Sequence, residues 1–437
     1  MKFLVNTRLE IHQKTGRNMD IFKAYDIRGL YPQELNEEIA EDIGRAIGSM
    51  VRKKRIYVGN DTRVGTYKIK DSFLRGLLST GARVIDVGMA PIAVPALASF
   101  DNKTYSVCIT ASHNPPQYTG ILPFYMGKSV RPQKVKEIYE SKSFLTGKGS
   151  LKKKDYQTKY LLRITKGMKD LKFKVGVDAM GGSGTFASKL ALNIVGAEPK
   201  LLHPSISMDF FGMTPEPSKE HMAGLSKFVV ENHLDVGVQL DGDADRLDFT
   251  DEFGNFIDPV TSALMFIKYM KIKEAIINVS CPSIFKRFTN VKFVPVGRPN
   301  MEGAKFGFET SSHYYFGDYF PASDALLPMV LMLNVMKTSG KRMSELVKEM
   351  PKVYYEIVPI RMKDDNEINS AMKSAEKEME KYGKVDRTDG VKVYFDNGSV
   401  LVRRSETEPL IRVFYEGVDE GSFLKMKELA YKIMPWK

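Results

Sequence analysis

The stretch Thr110-Ala111-Ser112-His113-Asn114-Pro115-Pro116 sets a hydroxyl into a turn stiffened by two prolines. The apolar run Tyr105 to Ile109 leads straight into it and predicts a strand that delivers Ser112 to the turn. A hydroxyl held at a strand end suits covalent catalysis, in which the nucleophile must not wander. A lone S-H-N-P-P reads better as an ordinary Ser/Asn turn. A second stretch, Asp241-Gly242-Asp243-Ala244-Asp245-Arg246, shifts that balance.

Asp241, Asp243 and Asp245 alternate. Along extended chain, alternate side chains share a face, so the expectation is a strand from which three carboxylates converge. Clustered anions repel, and a hard divalent cation relieves them; Mg²⁺ suits carboxylates plus a phosphate oxygen. A solvated acidic turn is the competing reading of the spacing alone. A calcium loop is excluded, because Arg246 occupies the sixth position, where that loop needs glycine. The flanks also read as strand and hairpin rather than as two helices.

Three further stretches carry recognition chemistry. Arg403-Arg404-Ser405-Glu406-Thr407-Glu408-Pro409 lies between two strand-like runs, and Arg403, Ser405 and Thr407 could form a concave donor set for a phosphate. Gly307-Phe308-Glu309-Thr310-Ser311-Ser312-His313 offers a carboxylate, hydroxyls and an imidazole suited to sugar hydroxyls. Phe22 to Gly29 contains Tyr25, Asp26 and Arg28. Each of the three, taken singly, reads equally well or better as a polar surface turn.

The elements that must position these groups follow from periodicity. Between residues 19 and 150, strands at Arg55 to Val58, Val84 to Val87 and Tyr105 to Ile109 alternate with helices. One helix is capped by Asn36 and another is closed by Gly81. The order restarts with a strand at Phe173 to Val177 and another at Asp235 to Leu240, then a hairpin from Arg246 to Asp258. It restarts again with a helix near Val260 to Met270, a strand Ala275 to Val279, a helix Pro282 to Phe288 and a strand Val291 to Val296. Lys148 to Lys159 lacks a strong apolar period and reads as a boundary. The last block differs. It has a helical stripe ended by Gly383, a hairpin around Asp396-Asn397-Gly398-Ser399, a strand Ile411 to Tyr415 and a closing helix. The reading is α/β: three related α/β domains with mixed sheets, then a small antiparallel α+β domain.

A chain of 437 residues is too long for one core. Its net charge of +12 is scattered, with Lys152-Lys153-Lys154 the densest run and no nucleic-acid signature, so an anionic small molecule is the expected partner. No apolar run is long enough to cross a membrane. Residues 1–18 lack the apolar centre of a secretory signal and read as an extension outside the fold or a misplaced start. Two distant cysteines, Cys108 and Cys281, suit a reducing cytoplasm.

Taken in order, these segments resemble the α-D-phosphohexomutase family from about Phe22 to Glu416. The resemblance implies a four-domain, heart-shaped enzyme whose domains each send one loop into a central cleft. It divides the chain into 19–150, which bears the phosphoserine; 151–252, which binds metal; 253–350, which binds sugar; and 351–437, which binds phosphate. By the same resemblance Ser112 carries a phosphoryl group. Asp241, Asp243 and Asp245, with Ser112, hold Mg²⁺, and Arg246 lies beside the phosphoserine. Glu309, Ser311 and His313 match the family's sugar-reading loop, and Val296-Gly297-Arg298 is similar to a second sugar loop. Arg403, Ser405 and Thr407 match the distal phosphate clamp, which Arg412 supports. Tyr25 and Arg28 match the family's A-Y-D-I-R-G. The implied reaction interconverts hexose 1- and 6-phosphates of mannose and/or glucose, with hexose 1,6-bisphosphate as activator. The alternatives are a phosphoglucosamine mutase and a low-activity paralogue that binds sugar phosphates.

Three departures stand out. Leu122 replaces a lysine that serves near the reacting phosphate, so Arg28 and His313 become the expected proton-transfer groups. Glu406 stands in the phosphate loop where glycine or asparagine is usual. Phe308 and Ser312 replace glycines of the sugar loop.

Overall fold

The structure, a computed structural model, describes residues 21–405 and 409–434. The extension expected at 1–18, and Glu406 and Thr407, lie outside the described residues.

Four sheets succeed one another along the chain. The first holds β1 (Ile27–Leu30), β2 (Arg55–Asn60), β3 (Arg83–Met89), β4 (Tyr105–Ile109), β5 (Tyr118–Tyr125), β6 (Lys128–Ser129) and β7 (Ser150–Lys153). They lie in the order β1-β5-β4-β2-β3-β7, with β6 beside β5. The second holds β8 (Lys174–Asp178), β9 (Glu198–Leu201), β10 (Val236–Leu240), β11 (Leu247–Thr250) and β12 (Phe256–Ile257), ordered β12-β11-β10-β8-β9. The third holds β13 (Glu274–Asn278), β14 (Asn290–Val294), β15 (Gly307–Glu309) and β16 (His313–Tyr315), ordered β14-β13-β15-β16. The fourth holds β17 (Tyr354–Arg361), β18 (Val385–Asp386), β19 (Val391–Phe395), β20 (Gly398–Arg404) and β21 (Leu410–Gly417), all antiparallel, ordered β17-β21-β20-β19-β18.

One arrangement recurs in the first three sheets. In β3-β2-β4-β5, β9-β8-β10-β11 and β14-β13-β15-β16, three neighbours run parallel and the fourth strand returns antiparallel. The three α/β domains are therefore related in topology, although their letters do not repeat. In each, the loop from the third strand to the fourth leaves the carboxyl end of the parallel strands, where open α/β sheets place ligands. Those loops contain Ser112, the three aspartates, and Ser311 with Ser312.

Local sequence explains the supports. Asn36 caps the helix Glu37–Val51 by accepting from the Ile39 amide at 3.0 Å, and the helix buries Ile43, Ala46 and Ile47. The helix Leu326–Ser339 is apolar on nearly all sides and lies inside the core. One continuous apolar core runs through the first three domains, from Tyr57 and Leu97 through Val177 and Phe249 to Phe308 and Leu331. A second covers the other face of the first sheet. The fourth domain keeps its own core around Ile368, Val402 and Val413. Among the described residues, no helix is long and apolar enough to cross a membrane.

Two sequence expectations are corrected. The aspartates do not alternate along a strand. β10 ends at Leu240 and β11 begins at Leu247, so all three sit in the connecting turn, where Ala244 has φ +60°. The turn, not the pleat, brings them together. Pro282 to Phe288 forms only a short 3₁₀ segment, Ser283–Arg287. The boundary stretch Lys148 to Lys159 also holds β7, an edge strand that pairs parallel with β3 and is exposed at all four residues, which left no apolar signal.

Candidate active site

Ser112 is buried and has φ +49°, in the left-handed region that non-glycine residues rarely adopt. Thr110 fixes this bend: its hydroxyl accepts from the Ser112 amide at 2.9 Å and donates to Asp243 Oδ2 at 3.0 Å. The Ser112 hydroxyl donates to Asp241 Oδ2 at 2.9 Å and lies 3.5 Å from His113 Nδ1. The first domain's serine loop is thus bonded directly to the second domain's aspartate loop.

The three carboxylates are buried, and one oxygen of each lies within 4.8 Å of the others. Burial, then Asp245 and Asp243, push Asp241 well above the usual carboxylate range. Burial and Asp245 push Asp243 up to about 7. Burial acts upward on Asp245 too, but His313 and the Arg298 guanidinium outweigh it and hold it well below that range. Asp243 Oδ1 is buried without a hydrogen-bond donor among the described residues, and Asp245 Oδ1 faces only His313 Nε2, at 3.4 Å. Their partner oxygens are both oriented, Asp243 Oδ2 by Thr110 and Asp245 Oδ2 by Arg298 at 2.7 Å and Ser323 at 3.4 Å. The unengaged Asp243 oxygen in this buried trio fits a hard cation.

Around this centre the third domain supplies His313. Its Nε2 lies 3.4 Å from Asp245 and 3.4 Å from Arg246 Nε, and its Nδ1 lies 2.9 Å from the Ser311 hydroxyl. Arg246 is held by Glu216 at 2.7 Å. Glu309 accepts from Asn278 at 3.1 Å, the Gly297 amide at 3.3 Å and the Tyr315 hydroxyl at 3.2 Å. Gly297 has φ +122°, and a methyl group there would lie 2.6 Å from the Tyr25 hydroxyl, so only glycine fits. Tyr25 in turn donates to Val296 O at 3.5 Å.

Arg28 bonds Asn114 on the serine loop and pairs with Asp26 at 2.6 Å. Among the described residues the Ser112 hydroxyl bonds Asp241 and His113, and neither Arg28 nor His313 hydrogen-bonds to it. Burial, then the Arg246 and Arg28 guanidiniums, hold His113 well below its ordinary value, so it is neutral. Leu122 lies on β5 opposite Cys108, 3 % exposed inside the large core. Ser312 has φ +67° and donates to Asp248 at 2.6 Å, which shows how a serine occupies a glycine position.

The fourth domain joins at a remove. Arg403 and Arg412 are cross-strand partners on β20 and β21. Arg403 pairs with Asp389 at 3.1 Å, and Asp389 also accepts from the Val296 amide at 2.9 Å. Ser405 is buried, its amide bonded to Leu410 O at 2.9 Å. The structure thus gathers Ser112, Asp241, Asp243, Asp245, Arg246, Arg298 and His313 into one cluster. Glu309, Ser311, Gly297 and Tyr25 sit beside it, and Arg403 is reached through Asp389.

Sequence reading missed Asp61, Arg63, Glu216 and Asp389. Asp389-Gly390 carried a turn signal and nothing more. Arg63 follows β2 in Gly59-Asn60-Asp61-Thr62-Arg63, a loop at the same sheet edge as Ser112, and only that placement could have found it.

Fold and site define a four-domain α/β enzyme with a serine bonded into a carboxylate cluster. Family models match the chain in order. The phosphoglucomutase/phosphomannomutase alpha/beta/alpha domains I, II and III match residues 19–144, 155–254 and 293–354. The C-terminal domain matches 367–432. A phosphoglucomutase/phosphomannomutase of Thermococcus kodakarensis is 33 % identical over 95 % of this chain and 98 % of its own length. A probable phosphoglucosamine mutase of Thermococcus gammatolerans is 30 % identical over 94 % and 98 %. The crystal structure of a phosphoglucomutase/phosphomannomutase family protein from Burkholderia thailandensis superposes with a TM-score of 0.85. It covers 95 % of this chain and 98 % of that one at 24 % identity, a likeness of fold. The chain belongs to the phosphoglucomutase/phosphomannomutase family and is a mutase-type phosphotransferase.

Proposed function

We propose that this enzyme interconverts hexose 1-phosphate and hexose 6-phosphate, with mannose and/or glucose as the sugar, through a phosphorylated Ser112 and a bisphosphorylated intermediate. The observation that carries the reading is the Ser112 hydroxyl, 2.9 Å from one member of a buried aspartate trio in which Asp243 Oδ1 has no donor among the described residues.

In the first half-reaction the bond from phosphorus to Ser112 Oγ breaks and a bond to the sugar hydroxyl forms. The hydroxyl's proton leaves to a basic group, and Ser112 Oγ is left to take up a proton. In-line transfer of this kind depends on positioning and charge neutralisation. Thr110 holds Ser112 in its bend, and Arg246 places a guanidinium beside Asp241 at 4.0 Å. Asp241, Asp243, Asp245 and Ser112 would hold Mg²⁺, which supplies charge neutralisation at the transferring phosphate.

Leu122 can neither donate nor accept a proton. His313, between Ser311 and Asp245, is the group we assign to the sugar hydroxyl's proton, with Arg28 orienting the serine loop through Asn114. Glu309 and Ser311, with Tyr25, Gly297 and Arg298, face the sugar. Arg403, Ser405, Thr407 and Arg412 grip the far phosphate in both orientations of the intermediate. The same grip in both orientations lets either phosphate return to Ser112.

The deciding experiment is a coupled assay with Mg²⁺ and a trace of hexose 1,6-bisphosphate, comparing kcat/KM for mannose, glucose and glucosamine 1-phosphates. Conversion of mannose or glucose phosphate is expected. Exclusive conversion of glucosamine phosphate would move the enzyme to the activity its 30 %-identical relative is named for. Conversion of none would end the mutase reading.

A further inference from the structure

We propose that Arg63 and Phe210 form a clamp that fixes the serine loop against the aspartate loop, which makes both of them positioning residues for the transfer. The inference rests on the mutase reading but concerns residues outside that scheme.

Arg63 is wholly buried, a costly place for a guanidinium unless every donor is used. Its Nε pairs with Asp61 at 2.7 Å, and Asp61 is itself fixed by the Arg63 amide at 3.1 Å and the Thr66 hydroxyl at 3.0 Å. Both terminal nitrogens bond backbone carbonyls of the segment from Ser112 to Tyr118. One terminal nitrogen reaches Asn114 O, Pro115 O and Tyr118 O at 3.2, 3.0 and 2.9 Å, and the other reaches Ser112 O at 2.5 Å. The cation and the serine loop therefore satisfy each other. An apolar side chain would fill this space at lower cost, but it could not dictate where four carbonyls sit.

The second half of the clamp crosses to the next domain. The Phe210 ring lies 5.1 Å from the Arg63 guanidinium. Phe210 and Phe211 are consecutive left-handed residues, at φ +53° and +55°, a strained bend that holds the ring in place. Nearby, Val64 donates to Met208 O at 3.0 Å. A methyl group added to Gly242, between Asp241 and Asp243, would stand 3.0 Å from both the Phe210 ring and the Ser112 carbonyl. Arg63, Phe210, the Ser112 carbonyl and the aspartate loop thus meet at one point. The distance from the nucleophile to the carboxylates is set there, behind the reacting atoms.

Two variants test this. Arg63→Lys keeps a cation beside Asp61 but cannot span four carbonyls, and Phe210→Leu removes the ring while leaving Arg63 intact. In each folded variant kcat is expected to fall on the order of 10–100-fold while KM for the sugar phosphate stays within about threefold, because misplacement of reacting groups costs rate rather than binding. Backbone amides of Ser112 to Tyr118 are expected to exchange hydrogen faster, with those of the fourth sheet unchanged. Should Arg63→Lys not fold, Phe210→Leu decides. Unchanged kcat with unchanged loop exchange would overturn the clamp. If the wild type isomerises no sugar phosphate, the mutase reading fails instead, and the exchange measurement still decides the clamp.

Discussion

The serine loop and the sugar loop occupy the same place in their domains, and each bends through a serine in the left-handed region three residues past its strand. Ser112 at φ +49° turns its hydroxyl toward Asp241; Ser312 at φ +67° turns its hydroxyl back to Asp248 at 2.6 Å. One bend serves two ends. In the first loop the proposed mechanism leaves the hydroxyl for chemistry, and the backbone is held from behind by Arg63. In the second, the hydroxyl itself is the restraint, and the neighbouring Ser311 and His313 face the site. A strained turn needs an anchor, and where the side chain is reserved for reaction the anchor comes from elsewhere.

Substitutions can break or sharpen that contrast. The largest effect is expected at the first loop, where Ser112→Ala removes the proposed phosphoryl carrier and is expected to lower turnover on the order of 10³-fold or more; retention of most activity would refute the covalent relay. Asp243→Asn comes next. It removes a repulsive buried charge, so thermal stability in EDTA is expected to match or exceed the wild type. The stabilisation gained on adding Mg²⁺ should shrink, corresponding to at least a tenfold weaker metal affinity, on the order seen when metal sites lose supporting groups. Thermal melts with and without Mg²⁺ read both. At the second loop, Ser312→Ala strips a buried carboxyl of its partner and is expected to cost about 1–3 kcal/mol of stability, with turnover changed far less than by Ser112→Ala. A turnover loss as large as that of Ser112→Ala would show that the two bends are not divided between chemistry and restraint.

The smallest effect lies behind the aspartate loop. His203 pairs with Asp178 at 2.8 Å, and Asp178 also accepts from Gln239, which precedes the aspartates on β10. The hydrogen bond to Asp178 raises the His203 pKa above its ordinary value of about 6.5, against burial. The charged pair therefore stabilises the fold fully below about pH 6.5, and its contribution fades as pH rises through the raised value. His203→Gln is expected to flatten the fall in melting temperature between about pH 6 and 8 relative to the wild type.

Much of this was legible in the chain. The strand Tyr105–Ile109 and the Asn36 cap follow from local signals, and the three-domain recurrence shows in element order. The gathering of the aspartates was expected on the wrong ground, since a left-handed Ala244 does what strand alternation was expected to do. Arg63 escaped because nothing local marks an arginine whose partners are carbonyls some fifty residues on, at Asn114, Pro115 and Tyr118. Leu122 reads as a lost lysine in sequence, yet in the fold it is simply part of the core. What pattern cannot supply is the pairing of distant backbone with a buried charge, because that is decided only when the sheets have formed.

The separate core of the fourth domain has a consequence for how the molecule comes apart. Its seam with the rest includes Val279, Leu401 and Phe414, the Lys392 ammonium on Val279 O at 2.8 Å, Glu416 on the Ser283 amide at 2.6 Å, Asp389 on the Val296 amide at 2.9 Å and the Tyr355 hydroxyl on Asp258 at 3.1 Å. The first three domains, sharing one interior, must melt as a single cooperative block. The last, with an interior of its own, is expected to separate first, so that a protease offered the connection near Met350 to Val353 yields two fragments rather than four.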